Sequence, residues 1–233
     1  MEFLQITMIR PDMLNVPQHE FPTGYSLRPF RDGDGPIWVR VQQLAEPFYK
    51  IDQATFDKNF SQDLPAMPQR SFFLVAPDGS DAGTITAWYD KPHLGSAAPP
   101  LVGSPSRSSP HALSEEQARL RGTSPLRRGS LRSPTAANED WGRIHWVCIV
   151  PQHQRKGLCR PMMTAAMNRL KALGHERAIL GTQTPRLVAI KVYLDFGFVP
   201  DLGDDAPGAA GGESRRAWRL VKQELSHPGL AGI

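Results

Sequence analysis

Cysteine is nearly absent: Cys148 and Cys159 are the only two in a chain of 233 residues. Neither sits in a Cys-x-x-Cys or Cys/His ligand spacing, so a disulfide framework and a structural metal site are both unexpected. A reducing, cytoplasmic location fits such usage. Long apolar runs are missing too. Segments such as Trp146–Val150 fall far short of the roughly 20 residues that a bilayer crossing needs. The opening MEFLQITMIRPD has neither the basic nor the apolar region of a secretion signal. No membrane partner is therefore expected.

Residues 91–140 contain no Phe, Trp or Tyr, yet hold nine Ser and seven Pro. Such a stretch cannot bury enough apolar surface to offset the entropy of ordering, and is expected to be a disordered insertion in a loop. Its one helical candidate is 114–122. An excess of one charge sign is also lacking from the rest of the chain. The formal charge is +4, and seven Lys or Arg against four Asp or Glu place +3 of it in 91–140, leaving +1 elsewhere. No nucleic-acid partner is expected from so neutral a remainder.

What remains has ordinary globular composition, 40% hydrophobic and 21% charged. Residues 1–24 read as an irregular arm punctuated by Pro11, Pro17 and Pro22. Residues 25–221 read as a single domain interrupted by 91–140, and residues 222–233 as a frayed tail. Within the domain, 25–30 alternates like a strand, and Asp34 before Pro36 opens a helix. Runs 71–76 and 82–90 suggest a hairpin. Residues 142–150 form an apolar run suited to a central strand. In 158–173, Met163, Ala166, Met167, Leu170 and Leu173 recur at helical spacing, leaving Thr164, Asn168, Lys171 and His175 on a face suited to solvent. Strand 177–182, helix 186–197 and a last strand, 217–221, complete an α/β (α+β) domain.

The informative stretch is Val150-Pro-Gln-His-Gln-Arg-Lys-Gly-Leu-Cys159, where a buried strand turns directly into a helix. Amides at a helix start have no intrahelical partner and face outward at the positive end of the dipole. Gly157 lets a ligand approach the backbone, while Arg155 and Lys156 add positive charge. Physically this is a pyrophosphate cradle, although a basic turn that merely starts a core helix reads the same way. It is neither a Walker A loop nor Gly-x-Gly-x-x-Gly.

Gln154, Gly157 and Cys159 match a Gln/Arg-x-x-Gly-x-Gly/Ala pattern, with Cys standing in for Gly/Ala, and Ile149-x-Pro151 precedes it. Downstream, Ala189, Tyr193, Gly197 and Phe198 follow Ala-x-x-x-Tyr-x-x-x-Gly-Phe, with Arg186 where Asn is common. In both motifs the chain resembles the GCN5-related N-acetyltransferases (GNAT). The resemblance implies a mixed, twisted central sheet with flanking helices and a splay between two central parallel strands. It implies acetyl-CoA as co-substrate, with its pantetheine against Ile149 and Val150. Its pyrophosphate would lie on the loop that holds Gln154, Arg155, Lys156, Gly157, Leu158 and Cys159. The acetyl group would pass to an amine of a small molecule or a protein within a ternary complex.

Tyr193 takes the place of the general acid that the resemblance implies. A phenol near pKa 10 donating to a thiolate near 8.5 works uphill by about 2 kcal/mol, tolerable for a prepositioned donor. The alternative is a core aromatic packed with Phe196 and Phe198. His145 is the titratable group on strand 142–150 that suits proton abstraction near neutral pH, and alternation puts it on one face with Arg143, Val147 and Ile149. A structural histidine, with water as the base, reads equally well. Trp88, Tyr89 and Trp146 are candidates for the acceptor pocket, Glu46 and Asp90 for contacts to a cationic amine, and Arg186 for a phosphate or carboxylate. Cys159, at a helix start, is expected to have a lowered thiol pKa. Two other readings stand beside the transferase: an acyl-CoA-binding sensor without turnover, and a nucleic-acid module using the basic insertion. A homodimer is left open.

Overall fold

The computed structural model of the protein describes residues 1–89, 141–203 and 211–233. The expected disorder of 91–140, its short helix at 114–122 and the role suggested for Asp90 lie outside the described residues. Seven strands build one mixed sheet: β1 (Gln5–Arg10), β2 (Ser26–Pro29), β3 (Ser71–Val75), β4 (Asp81–Tyr89), β5 (Trp141–Ile149), β6 (Arg177–Gln183) and β7 (Val199–Pro200). Their spatial order is β2-β3-β4-β5-β6-β1-β7. The helices are α1 (Gly35–Ala45), α2 (Gln53–Phe60), α3 (Met67–Arg70), α4 (Cys159–Ala172), α5 (Leu187–Asp195) and α6 (Gly211–Glu224).

The expected hairpin is β3–β4, antiparallel and joined by a turn in which Asp78 Oδ1 accepts the Ser80 amide at 2.9 Å. α1 begins after Asp34, but that carboxylate does not cap the helix. It takes Arg28 at 2.6 Å and the Arg31 amide at 2.8 Å instead. α2, unforeseen in the sequence, is opened by a reciprocal Asp52–Thr55 capping box. Trp38 of α1 meets Phe56 and Phe60 of α2 edge-on, at 5.4 and 5.5 Å, and this aromatic cluster covers one face of the sheet. α4 covers the other face, where Leu170 fills the space beside Gly142.

Three expectations are corrected. Residues 5–10 are no arm: β1 lies inside the sheet between β6 and β7, with Ile6, Met8 and Arg10 buried in alternation. The buried end of Arg10 hid that alternation from a hydrophobic pattern. Its guanidinium donates to the carbonyls of Asp12, Leu14 and Phe196, the last at the C-terminus of α5, where the helix dipole favours a cation. Residues 217–221 are helical rather than extended. Ala217, Trp218 and Val221 are buried at helical spacing while α6 packs against β1. Nor do residues after 221 fray at once: α6 runs to Glu224, and Leu230 is buried in a final turn.

On α4 the expected stripe is the buried face. Thr164, assigned to solvent, is buried as well, because its hydroxyl donates to the Pro17 carbonyl and accepts the His19 amide. The segment after β1 thus lies across this helix.

Candidate active site

β5 and β6 are parallel neighbours that pair only through Trp141↔Arg177, Gly142↔Ala178 and Arg143↔Ile179. Beyond Arg143 they part, so the rest of β5 has no strand on that side. Val150 donates its amide to Ala82 across β4 at 2.9 Å. By the alternation of a strand, Ile149 turns its own amide and carbonyl into the opening. Gln154 Nε2 closes the outer end by donating to the Ile149 carbonyl at 2.9 Å.

A bulge interrupts β5 where the gap begins. Thr86 pairs with His145 and Thr84 with Cys148, so Ile85 faces two residues, Trp146 and Val147. Trp146 takes φ 49°, a left-handed conformation that costs a large side chain roughly 1–2 kcal/mol. Its carbonyl accepts the Thr84 hydroxyl at 3.0 Å and the Gln42 amide at 3.3 Å, which holds it there. Opposite the bulge the strands approach so closely that a Cβ on Gly83 would stand 2.4 Å from the Cys148 carbonyl oxygen. The extra residue also inverts the alternation: Cys148, not Val147 or Ile149, shares a face with His145.

After β5 the chain makes a tight turn over Pro151–His153 and enters α4 through Gln154–Leu158. Arg155 and Gly157 both have positive φ, 60° and 76°. The amides of Arg155, Lys156, Gly157, Leu158, Cys159 and Arg160 have no acceptor among the described residues, the first helical bond being Met162 to Leu158. Leu158, at the N-cap, supplies no side-chain cap. A run of unpartnered donors at the positive end of a helix matches the oxygens of a diphosphate. Space is open in front of it, since nothing lies within 4 Å of a Cβ built on Gly157. The loop is braced from the side: Tyr25 Oη lies 2.9 Å from His153 Nδ1 and accepts Lys156 Nζ at 3.2 Å.

The family profile described as acetyltransferase (GNAT) family matches residues 38–198. The chain belongs to the GNAT acetyltransferase family. Among solved structures, a GCN5-related N-acetyltransferase from Sphaerobacter thermophilus is similar at TM-score 0.55 and 14% identity, over 84% of this chain and 48% of that one. An acetyltransferase of the GNAT family from Colwellia psychrerythraea is similar at TM-score 0.52 and 7% identity, over 86% and 54%. A GCN5-related glucosamine N-acetyltransferase region of a fungal multi-domain GH3 β-N-acetylglucosaminidase is similar at 0.51 and 12%, over 86% and 20%. The chain therefore spans about half or less of these proteins, and at such identities the likeness concerns the fold. None of the curated proteins matches the sequence.

Within this GNAT fold, Tyr193 is buried on α5, and its hydroxyl has no hydrogen-bond partner among the described residues. Burial raises its pKa; Cys159 nearby adds to this and Arg186 opposes it. The phenol therefore stays protonated through the physiological range, but the same shift makes it a weaker acid, so donation to a thiolate costs more than the roughly 2 kcal/mol of a free phenol. His145 is placed otherwise. Phe60 and Trp146 flank its ring at 6.2 and 5.5 Å. Asn59 Oδ1, an acceptor, lies 3.2 Å from Nε2, which assigns the ring proton to that nitrogen. Burial, helped by the charge of Arg143, pushes its pKa down to about 3. Against an amine near 10.4, such a base works uphill by roughly 7 units, about 10 kcal/mol. In this environment the ring is a weak base, which disfavours the suggested role near neutral pH.

Cys159 is corrected in the same way. Burial outweighs the helix start and pushes its thiol up to about 11, and Cys148 likewise to about 11. Neither is a thiolate at neutral pH. Glu46 and Arg186, weighed separately in the sequence, form one ion pair of 2.5 Å whose carboxylate is 8% exposed. Arg186 also contacts Gln183 and stacks over Phe48 at 5.0 Å. It ties the end of α1 to the start of α5. Trp146 packs edge-on against Trp38 at 5.0 Å, whereas Trp88 and Tyr89 stack at 4.9 Å beside a cavity bordered by His145.

Sequence reading missed the bulge and its anchors, Gln42 and Thr84. Their only signal is a polar pair buried on apolar elements, Gln42 at 2% and Thr84 at 0% exposure. Among the described residues no cluster of His, Cys, Asp or Glu forms a metal site, and no helix is long and apolar enough to cross a membrane.

Proposed function

We propose that this chain is an acetyl-CoA-dependent N-acetyltransferase that moves an acetyl group to a primary amine within a ternary complex. The observation that carries the reading is the run of six unpartnered amides from Arg155 to Arg160, directly beside the open edge of β5. These residues fit the group: the amides would hold a diphosphate, Arg155 and Lys156 would add charge, and the Ile149 backbone would meet an extended arm. When bound, acetyl-CoA supplies an activated acyl group and a thiolate leaving group. Holding both reactants in one cleft supplies much of the acceleration. Tyr193, protonated and without a partner, gives its hydroxyl proton to the leaving sulfur. The proton of the amine leaves to water, since His145 is too weak a base. Two unpaired cysteines support a cytoplasmic setting.

The test is CoA release with mass detection of acetylated products over a panel of amines. Tyr193→Phe is expected to lower kcat about a hundredfold while the KM for acetyl-CoA changes little. Unchanged kcat would remove the acid role. Acetyl-CoA binding without turnover of any amine would favour the sensor.

A further inference from the structure

Tyr25 stands immediately before β2, an edge strand that β3 and β4 separate from β5 in the sheet. Its side chain nevertheless reaches the loop between β5 and α4. The hydroxyl lies 2.9 Å from His153 Nδ1 and accepts Lys156 Nζ at 3.2 Å, a contact to which the proposed reaction gives no role so far. Lysine can only donate, so the phenol's own proton is left for His153 Nδ1. The rings of Tyr25 and His153 meet edge-on at 5.8 Å, and Lys156 Nζ lies 6.0 Å from the centre of the phenol ring.

Both ends of this contact are fixed. The Tyr25 amide donates to the Pro22 carbonyl at 3.1 Å. Gly24 takes φ 84° and packs closely on Pro77 in the β3–β4 turn, where a Cβ would stand 2.9 Å from that ring. On the loop side, His153 donates its amide to the Val150 carbonyl at 2.9 Å. Between His153 and Lys156 lies Arg155, whose φ of 60° is one that side chains keep only where their surroundings hold them. The described residues give 151–158 one other side-chain hydrogen bond, from Gln154 to Ile149. The unpartnered amides after Gln154 add nothing to hold the loop. A cradle of converging amides gains most when its shape is set before the ligand arrives.

We propose that Tyr25 is a positioning residue for acetyl-CoA. Through His153 and Lys156 it holds the Arg155–Arg160 amides in the shape that receives a diphosphate. The inference rests on the transferase reading above. It extends the site to a residue outside 38–198, the span that the family profile matches.

The test is calorimetric binding of acetyl-CoA to the full chain, wild type beside Tyr25→Phe. The variant keeps the ring and loses only the hydroxyl, so the fold should accept it. Its affinity for acetyl-CoA is expected to fall about fivefold or more. A second comparison separates positioning from a general structural role. In a chain carrying His153→Phe and Lys156→Met the hydroxyl has lost both partners. Adding Tyr25→Phe there should change the affinity by less than about twofold. Unchanged affinity in Tyr25→Phe alone would overturn the proposal and leave the transferase standing. So would an equal loss with and without the two loop partners. Failure of the wild type to bind acetyl-CoA would instead defeat the transferase reading, and this role with it.

Discussion

Burial sets the protonation of the candidate site's residues, and it acts in opposite senses on Tyr193 and His145. The phenol is charged when it loses its proton, the imidazole when it gains one. Desolvation therefore keeps Tyr193 protonated and His145 neutral. For His145 this has a consequence for stability. Its folded pKa is about 3 against an unfolded value of 6.5. Between those limits the unfolded chain binds more protons, so stability rises with pH through this window. It is complete above about 6.5 and is lost as pH falls toward 3. His145→Gln is expected to flatten the decline of Tm between pH 7 and 4.5, as thermal melts would report. The same shift predicts that kcat/KM has no inflection from this residue between about pH 5 and 8. A ring resonance of His145 titrating near 6.5 by NMR would contradict both. Little of this was visible in the sequence, because the type of a residue does not state its burial. Spacing located Gln154 and Gly157 on the loop before α4 and Tyr193 on α5, whereas the burial that shifts His145 and Cys159 left no signal in the sequence.

Elements that announce themselves by period or by turn chemistry were read correctly: the β3–β4 hairpin, β5 running into α4, and α5 ending at Gly197. The bulge in β5 was not, since one inserted residue leaves no pattern in an apolar run such as Trp146–Val150. It is an arrangement imposed by β4 and α1. Thr84 and Gln42 bind the Trp146 carbonyl, and Gly83 allows the close approach. Replacing Gln42 with Leu keeps the bulk but leaves the buried Thr84–Trp146 pair short of a donor. Such a loss costs about 1–3 kcal/mol, and roughly 2–4 °C of Tm accompanies each kcal/mol in a chain of this size. Turnover should fall along with stability if the bulge positions the site. A variant as stable and as active as the wild type would show that this anchor does not matter.

At the scale of the molecule, the sheet draws its members from both ends of the described chain, which the sequence concealed. The residue pattern of 217–221 suggested a final strand. The place between β6 and β7 is filled instead by β1, whose buried Arg10 disguises a strand, and 217–221 folds as a helix over it. The parting of β5 and β6 follows from this whole arrangement: each is paired along its outer side, to β4 and β1, so the inner edges stay open beyond Arg143. The central claim is that this opening and the Arg155–Arg160 cradle bind acetyl-CoA. The most direct test is a thermal melt with acetyl-CoA, CoA or ATP, wild type beside Gly157→Glu. At a hundredfold excess over Kd, binding adds about 2.7 kcal/mol, which should raise Tm by roughly 5–10 °C. The account predicts that shift with acetyl-CoA and CoA but not with ATP, and its loss in the variant. No shift with any of the three would contradict it.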